Sequence, residues 1–325
     1  MPKPLVTAIL PAKDAGPYIG TTLTTLARQF DDPGMLKIVV INDGSQDDTA
    51  AQVRHFTREL PAVEIVENAQ PVGLAAARNQ GLDRVEGDFF CFVDGDDWMQ
   101  PLRLQSLVES MRSLECDFVR TDHVTDTDGR RRLVRAPFGW RGRTASPREA
   151  ILPADETTMV DYPYAWAGMF HRRVLDDGLA HFSPGLFTAE DRPWIWRLHL
   201  RAASFAVVDA PAILYRRGVA SSLTQVLDRR QLDFLPAFAQ TLRIVEDDHE
   251  AERFLPKVAT TTMSICAHHL FRARAMSATD RTALRRGIRD LLRAIPESEV
   301  EPALSRLSDR RRRILARLVR EVRTS

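Results

Sequence analysis

Apolar residues in the first 125 positions fall in short unbroken runs, each followed by a stretch with helical spacing. "LVTAILP" (5–11), "LKIVVIND" (36–43), "VEIVEN" (63–68), "FFCFVD" (89–94) and "DFVRTDH" (117–123) read as five strands. Helices are expected over 19–29, over 45–60 with Ser45 as cap, over 73–85 and over 101–114. Apolar strands without alternation, separated by amphipathic helices, predict a mostly parallel sheet covered on both faces, an α/β fold. Ligands of such sheets sit beyond the carboxyl ends of the strands. Three strands deliver acids to that edge: Asp14 after the first, Asp43 at the end of the second, and Asp94, Asp96 and Asp97 after the fourth.

From 126 to 160 the pattern loosens into a basic, turn-rich stretch, and residues 161–224 resume compact, aromatic-rich structure. From about 228 the chain reads as helical, with segments over 229–247, 251–275, 278–294 and 308–322. Composition adds bounds. The 325 residues, 44% hydrophobic and 27% charged, suit a soluble globular protein. A net charge of +1 gives no global field for nucleic acid. Cys91, Cys116 and Cys266 are odd in number and lack metal or redox spacing, so they read as reduced thiols. No apolar run approaches the roughly 20 residues that cross a bilayer, and the N-terminus lacks a signal-peptide pattern. A cytoplasmic protein is expected. The histidines offer no zinc pattern, since the adjacent His268 and His269 would point to different sides of a helix.

The acids after the fourth strand carry the strongest chemistry. Asp94, Asp96 and Asp97 offer hard oxygen ligands suited to Mg2+ or Mn2+, ions that share their shell with substrate phosphates. The alternative is a solvated turn in which Asp97 caps the next helix, which Pro101 would begin. "INDGSQDDT" brings a carboxylate, Asp43, and a flexible glycine to the same edge, where the acid can accept the N3–H of a uracil ring. In "PVGLAAARNQGL" small residues let a helix approach the sheet closely, and Arg78 offers a fork for phosphate or for an acidic partner.

In this order and spacing, "ILPAKDAGPYIGTTLTTL", "VVINDGSQDDT", "GLAAARNQGL" and "FFCFVDGDDWMQP" resemble the family-2 inverting glycosyltransferases of the GT-A fold. The resemblance covers about residues 4–225 and departs at "PAKD", where the family often has an aromatic residue and then Asn. It implies a Rossmann-like sheet flanked by helices and a UDP-sugar donor with Pro11, Asp14 and Asp43 around the base and Arg78 near it. Asp94 would face ribose or metal, and Asp96 the Mn2+ or Mg2+ on the diphosphate. Inverting transfer needs a general base for the acceptor hydroxyl. Glu190 and Asp191 in "LFTAEDRPWIWRL" are similar to the family's Glu-Asp motif, in which the second acid is the base. "ILYRRGVASSLT" resembles a segment that closes over the diphosphate, with Arg216 or Arg217 and Ser222 as phosphate contacts. Tyr164 and Trp166 are acceptor-side candidates or core, and Trp194 and Trp196 are sugar-stacking candidates or core.

The expected organisation is a transferase domain over 1–225, with a donor part (1–125) and an acceptor part (126–225), followed by a helical region over 226–325. The acceptor implied is a cell-envelope glycan, of teichoic-acid type, or a lipid-linked saccharide. "SDRRRRILARLVREVRTS" carries seven arginines against two acids, with Ile314, Leu315, Leu318, Val319 and Val322 on one face. It suits an anionic membrane surface, a second copy of the chain, or simple packing. Two rival readings remain: a nucleotidyltransferase, which would want a Gly-rich, Arg/Lys-bearing phosphate loop after the first strand, and a non-catalytic sugar-binding module, which would be expected to lose an acid cluster.

Overall fold

β1 (Val6–Ala12) is buried along its whole length, and β2 (Leu36–Asp43) nearly so, because both faces of their sheet are covered. The computed structural model describes residues 3–57, 60, 62–218 and 229–323. Ser222 lies outside them. Around β1 and β2 stand β3 (Val63–Asn68), β4 (Phe89–Phe92), β6 (Phe118–Arg120), β9 (Gly168–His171) and β10 (Phe205–Val207). They form a seven-stranded sheet in the order β10-β6-β9-β4-β1-β2-β3. The parallel core expected from the sequence is present, with one modification. β9 enters antiparallel between β4 and β6, pairing Phe90 with Phe170 and Phe118 with Phe170 on either side. The strand expected over 117–123 is two. At Asp122 the chain leaves the large sheet, because the carboxylate accepts from the Ala136 N–H and from Arg141, both at 2.8 Å, and turns it. β7 (His123–Thr127) then joins a small sheet ordered β5-β11-β7-β8, with β5 (Trp98–Met99), β11 (Ile213–Arg216) and β8 (Arg130–Val134).

Helices α1 (Gly16–Leu26), α2 (Thr49–Phe56), α3 (Leu74–Leu82), α4 (Arg103–Leu114) and α5 (Arg172–Asp176) complete this unit. α3 lies against β1 and β2 so closely that a Cβ on Gly81 would stand 2.3 Å from Ile9 Cγ2. The small residues of "LAAARNQGL" permit that approach. Two expected caps are absent: α2 begins at Thr49 and α4 at Arg103, and neither Ser45 nor Asp97 caps a helix.

By packing, the chain divides into two units that do not follow a single cut near 225. The α/β unit holds residues 1–147, 164–185 and 201–222, and the helical unit 148–163, 186–200 and 223–325. The helical unit contains α6 (Asp191–Arg201), α7 (Phe234–Glu246), α8 (Ala251–Arg272), α9 (Ala278–Arg293), α10 (Glu297–Arg306) and α11 (Asp309–Arg323). Ionic ties explain why 148–163 belongs with these helices. Arg148 bonds Asp248 at 2.5 Å and Glu250 at 2.7 Å, and the buried Lys257 bonds Asp161 at 2.5 Å. Trp194 and Trp196 are core. His269 stacks on Phe234 at 3.9 Å, far from any metal role.

The apolar face of α11 packs on α8 and α9, burying Leu315, Leu318 and Val319 within this unit. Packing is therefore what that face does, and only the arginine face remains for a surface or a partner. Among the described residues no helix is long and apolar enough to cross a membrane. Leu315→Ala is expected to remove about 2–5 kcal/mol from the helical unit through lost burial and a residual cavity. Denaturant unfolding followed by circular dichroism measures that loss, and UDP affinity should not change.

Candidate active site

The parallel register sets the site. Pro11 pairs with Ile41 and Ala12 with Asn42, while Ile9 pairs with Phe92, so Asp14, Asp43 and Asp94 leave the sheet at one edge. The loops behind β1 and β2 are joined to each other. The Asp14 N–H donates to Ser45 Oγ at 3.0 Å, and Asp14 Oδ1 accepts from the Gln46 N–H at 2.8 Å. Asp14 has a left-handed backbone, φ 48°, a conformation that Asp tolerates better than most residues.

Asp43 is buried, and both its oxygens are engaged. Oδ1 accepts from the Val72 N–H at 2.7 Å and from Asn68 Nδ2 at 2.9 Å, and Oδ2 from the Gly73 N–H at 3.0 Å. It thus holds the turn that starts α3. Gly44, with φ 67°, sits where a Cβ would meet Pro71 at 2.8 Å, so the turn after Asp43 requires glycine.

Arg78 is 3% exposed. Its Nη2 donates to Asp94 Oδ1 at 3.1 Å, and its guanidinium lies over the rings of Phe182 and Phe92 at 5.1 and 5.8 Å. Arg78 thus bonds an acid of the loop, one of the two partners the sequence allows.

The acid loop carries more negative charge than its protein partners satisfy. Burial and the charge of Asp94 push the Asp96 carboxyl up to about 6. Asp97 is 0% exposed. Its Oδ1 accepts from the Arg216 N–H at 2.8 Å, and Oδ2 is buried without a hydrogen bond. Burial and the charges of Asp94 and Asp96 raise the Asp97 carboxyl well above the usual range. Among the described residues no group of three His, Cys, Asp or Glu side chains is placed to hold a metal ion. An ion completing its shell with phosphates and water needs only one or two carboxylates, however. The crowded, partly unsatisfied acids fit a divalent cation, which would relieve their repulsion.

Arg216 clasps this loop. Besides its N–H bond to Asp97, its Nε donates to the Asp96 carbonyl at 3.0 Å, and its guanidinium lies over Trp98 at 4.5 Å and Tyr18 at 4.8 Å. Arg217 is exposed, beside Tyr215 at 5.7 Å. The sequence alone leaves the two arginines equivalent, whereas the pairing of β11 beside β5 and β7 brings Arg216 to the loop. Tyr164 and Trp166 gather with His123 and Tyr215 in one aromatic cluster, with ring centroids 4.9–6.3 Å apart. The sequence did not single out His123 or Tyr215. His123 is buried, and burial together with the Arg120 charge brings its imidazole down to about 4, so it is neutral at pH 7.

Within the helical unit, Asp191 opens α6 and its side chain is 28% exposed, while Glu190 is buried. The turn before them is pinned by the Phe187 N–H to Asp233 Oδ2 and by Thr188 Oγ1 to the Arg230 carbonyl, both 2.7 Å. Ala189 takes φ 60° there. Of the two acids, Asp191 is the more exposed, and Arg192 Nε lies 3.8 Å from it.

Comparison with known proteins agrees with this geometry. The family model described as Glycosyl transferase family 2 matches residues 7–179. The chain is 25% identical over 232 residues to the uncharacterized glycosyltransferase EpsJ of Bacillus subtilis (strain 168), covering 71% of this chain and 66% of EpsJ. It is 24% identical over 211 residues to the poly(ribitol-phosphate) beta-N-acetylglucosaminyltransferase TarS of Staphylococcus aureus, covering 64% of this chain and 34% of TarS. The chain thus spans just under two thirds of EpsJ and about a third of TarS. The crystal structure of S. aureus TarS 1-349 in complex with UDP-GlcNAc has a TM-score of 0.74 at 18% identity, covering 98% of this chain and 92% of that one. The mannosyltransferase PcManGT from Pyrobaculum calidifontis, in complex with GDP-Man and Mn2+, has a TM-score of 0.53 at 17% identity, covering 99% and 83%. The mostly parallel sheet flanked by helices is thus the fold of these transferases.

Proposed function

The chain belongs to glycosyl transferase family 2, and on that premise we propose that it moves a sugar, with inversion, from a UDP-sugar donor to a hydroxyl of a cell-envelope glycan or lipid-linked saccharide. The observation that carries the reading is the delivery of Asp14, Asp43, Asp94 and Asp96 to one carboxyl edge by three neighbouring strands. The UDP-GlcNAc complex of TarS supports a uridine donor, and the Mn2+ complex of PcManGT supports a divalent ion. We assign the donor base to Pro11, Asp14 and Asp43, and Mn2+ or Mg2+ to Asp96 and Asp94. When bound, such an ion offsets charge on the departing diphosphate. Arg78 holds Asp94 in place, Arg216 steadies the acid loop, and Arg217 and Ser222 remain as phosphate contacts. Asp191 takes the acceptor proton, with Glu190 behind it. We also place the chain in the cytoplasm or against the inner face of the membrane. Three buried free cysteines suit a reducing compartment, and the arginine face of α11 suits an anionic lipid surface.

Incubation with a panel of nucleotide sugars and Mn2+ tests the reading directly. One UDP-sugar should raise the melting temperature and release UDP, and a chelator should abolish the release. A panel that produces neither shift nor release would overturn it.

A further inference from the structure

We propose that one face of the small sheet, from Tyr215 through Thr125 to Arg132 and Arg130, is a track for a negatively charged acceptor glycan. Sugar rings would lie against Tyr164 and Tyr215, and phosphate or carboxylate groups against the arginines. The proposal rests on the transferase reading and gives its acceptor a chemical class and a binding surface.

Strand register supplies the geometry. Tyr215 on β11 pairs with Thr125 on β7, and Thr125 pairs with Arg132 on β8. Thr127 pairs with Arg130 two positions along. Paired residues and those two positions along share a face, so these side chains form a continuous stripe. At its inner end the half-buried Tyr215 and Tyr164 stand 6.3 Å apart, with the buried Trp166 and His123 as their floor. β11 is itself tied to the acid loop, since the N–H of the next residue, Arg216, bonds Asp97 at 2.8 Å. At strand spacings of about 4.8 Å, Arg132 stands ~10 Å across the sheet from Tyr215. A chain whose reactive end approaches the acids would run outward along this stripe.

Charge identifies what would run there. Residues 126–143 hold six arginines against two acids. Arg131 is bonded to Asp126 at 3.1 Å and Arg141 to Asp122 at 2.8 Å. Arg130, Arg132 and Arg135 are exposed and have no ion-pair partner among the described residues. Guanidinium groups suit the paired oxygens of phosphate and carboxylate. Arginines on an edge strand also discourage unwanted strand pairing. That role has no use for the two tyrosines at the inner end of the same stripe, whose rings stand 6.3 Å apart. Continuity with the acid loop favours a substrate over a lipid surface.

The test uses the full chain and three probes: a poly(glycerol phosphate) oligomer, a neutral dextran of equal length, and phosphatidylglycerol vesicles. The parent should bind the phosphate oligomer with salt-sensitive affinity and should not bind dextran. Replacing Arg130, Arg132 and Arg135 together by Ala should weaken that binding ~10-fold or more and flatten its salt dependence. These are exposed side chains, so melting temperature and UDP affinity should stay at the parent values. Failure of the parent to bind the oligomer, undiminished binding by the variant, or binding to vesicles alone would overturn the proposal. Absence of UDP binding in both proteins would count against the transferase reading, while the oligomer comparison would still decide this one.

Discussion

Asp191→Asn should bind its UDP-sugar as the parent does and transfer it about 10²–10⁴-fold more slowly, the usual loss when a positioned base is removed. Asn keeps the shape of the side chain but cannot take up a proton at neutral pH. The base acts mainly in the transition state, as the acceptor proton leaves, so ground-state donor binding is unaffected. Donor contacts are assigned to residues of the α/β unit, whereas Asp191 opens α6 of the helical unit. Calorimetry of donor binding and a transfer rate form the required pair of measurements. A rate within about tenfold of the parent, below the range for a lost base, would remove Asp191 from the role and leave Glu190 as the next candidate. Weakened donor binding at an unchanged rate would instead make it a binding residue.

What was legible in the sequence, and what was not, follows from the range of each interaction. β2 has the boundaries its apolar run announces, because a buried parallel strand needs an unbroken run and shows it locally. β9 does not announce itself. Its four residues, "GMFH", are too few for a periodicity, and only the antiparallel pairing to β4 and β6 makes them a strand. α10 does not announce itself either: it is ten residues long with Pro302 inside, whereas the 22 residues of α8 read as a helix in spite of Pro256. The acids of the site were legible because they follow strand ends, where an α/β sheet places its ligands. Their partners were not. Arg78 shows an arginine on a helix, but only packing reveals that it is buried beneath Asp94. Asp43 shows a free acid, but folding brings the Val72 and Gly73 amides to it. Arg216 reaches an acid loop about 120 residues earlier in the chain, a distance no local pattern spans.

Asp96→Asn should lose Mn2+-dependent UDP binding while becoming more stable without metal, and the two effects have one cause. In the metal-free protein, burial and Asp94 raise the Asp96 carboxyl to about 6 from its model-compound value of 3.8. A carboxyl whose folded value lies above its unfolded one favours folding while both states are protonated, at pH below about 4. That contribution disappears as pH rises through about 6, where the folded protein must ionise a crowded acid. Near pH 7.5 the parent therefore carries a penalty on the order of 2–3 kcal/mol, at about 1.4 kcal/mol per pH unit of displacement. Asn does not ionise, so the variant escapes the penalty, and its advantage should shrink toward pH 4. The same crowding gives the acid loop its affinity for a cation: an ion relieves in the parent what the substitution removes. Urea unfolding in chelator at pH 7.5 and pH 4.5, beside UDP titrations with and without Mn2+, reads both halves. A variant that still binds UDP with the parent's Mn2+ dependence would take the ion away from Asp96. A variant no more stable than the parent at pH 7.5 would mean that the acid loop relieves its repulsion without a metal, by holding a proton among Asp94, Asp96 and Asp97.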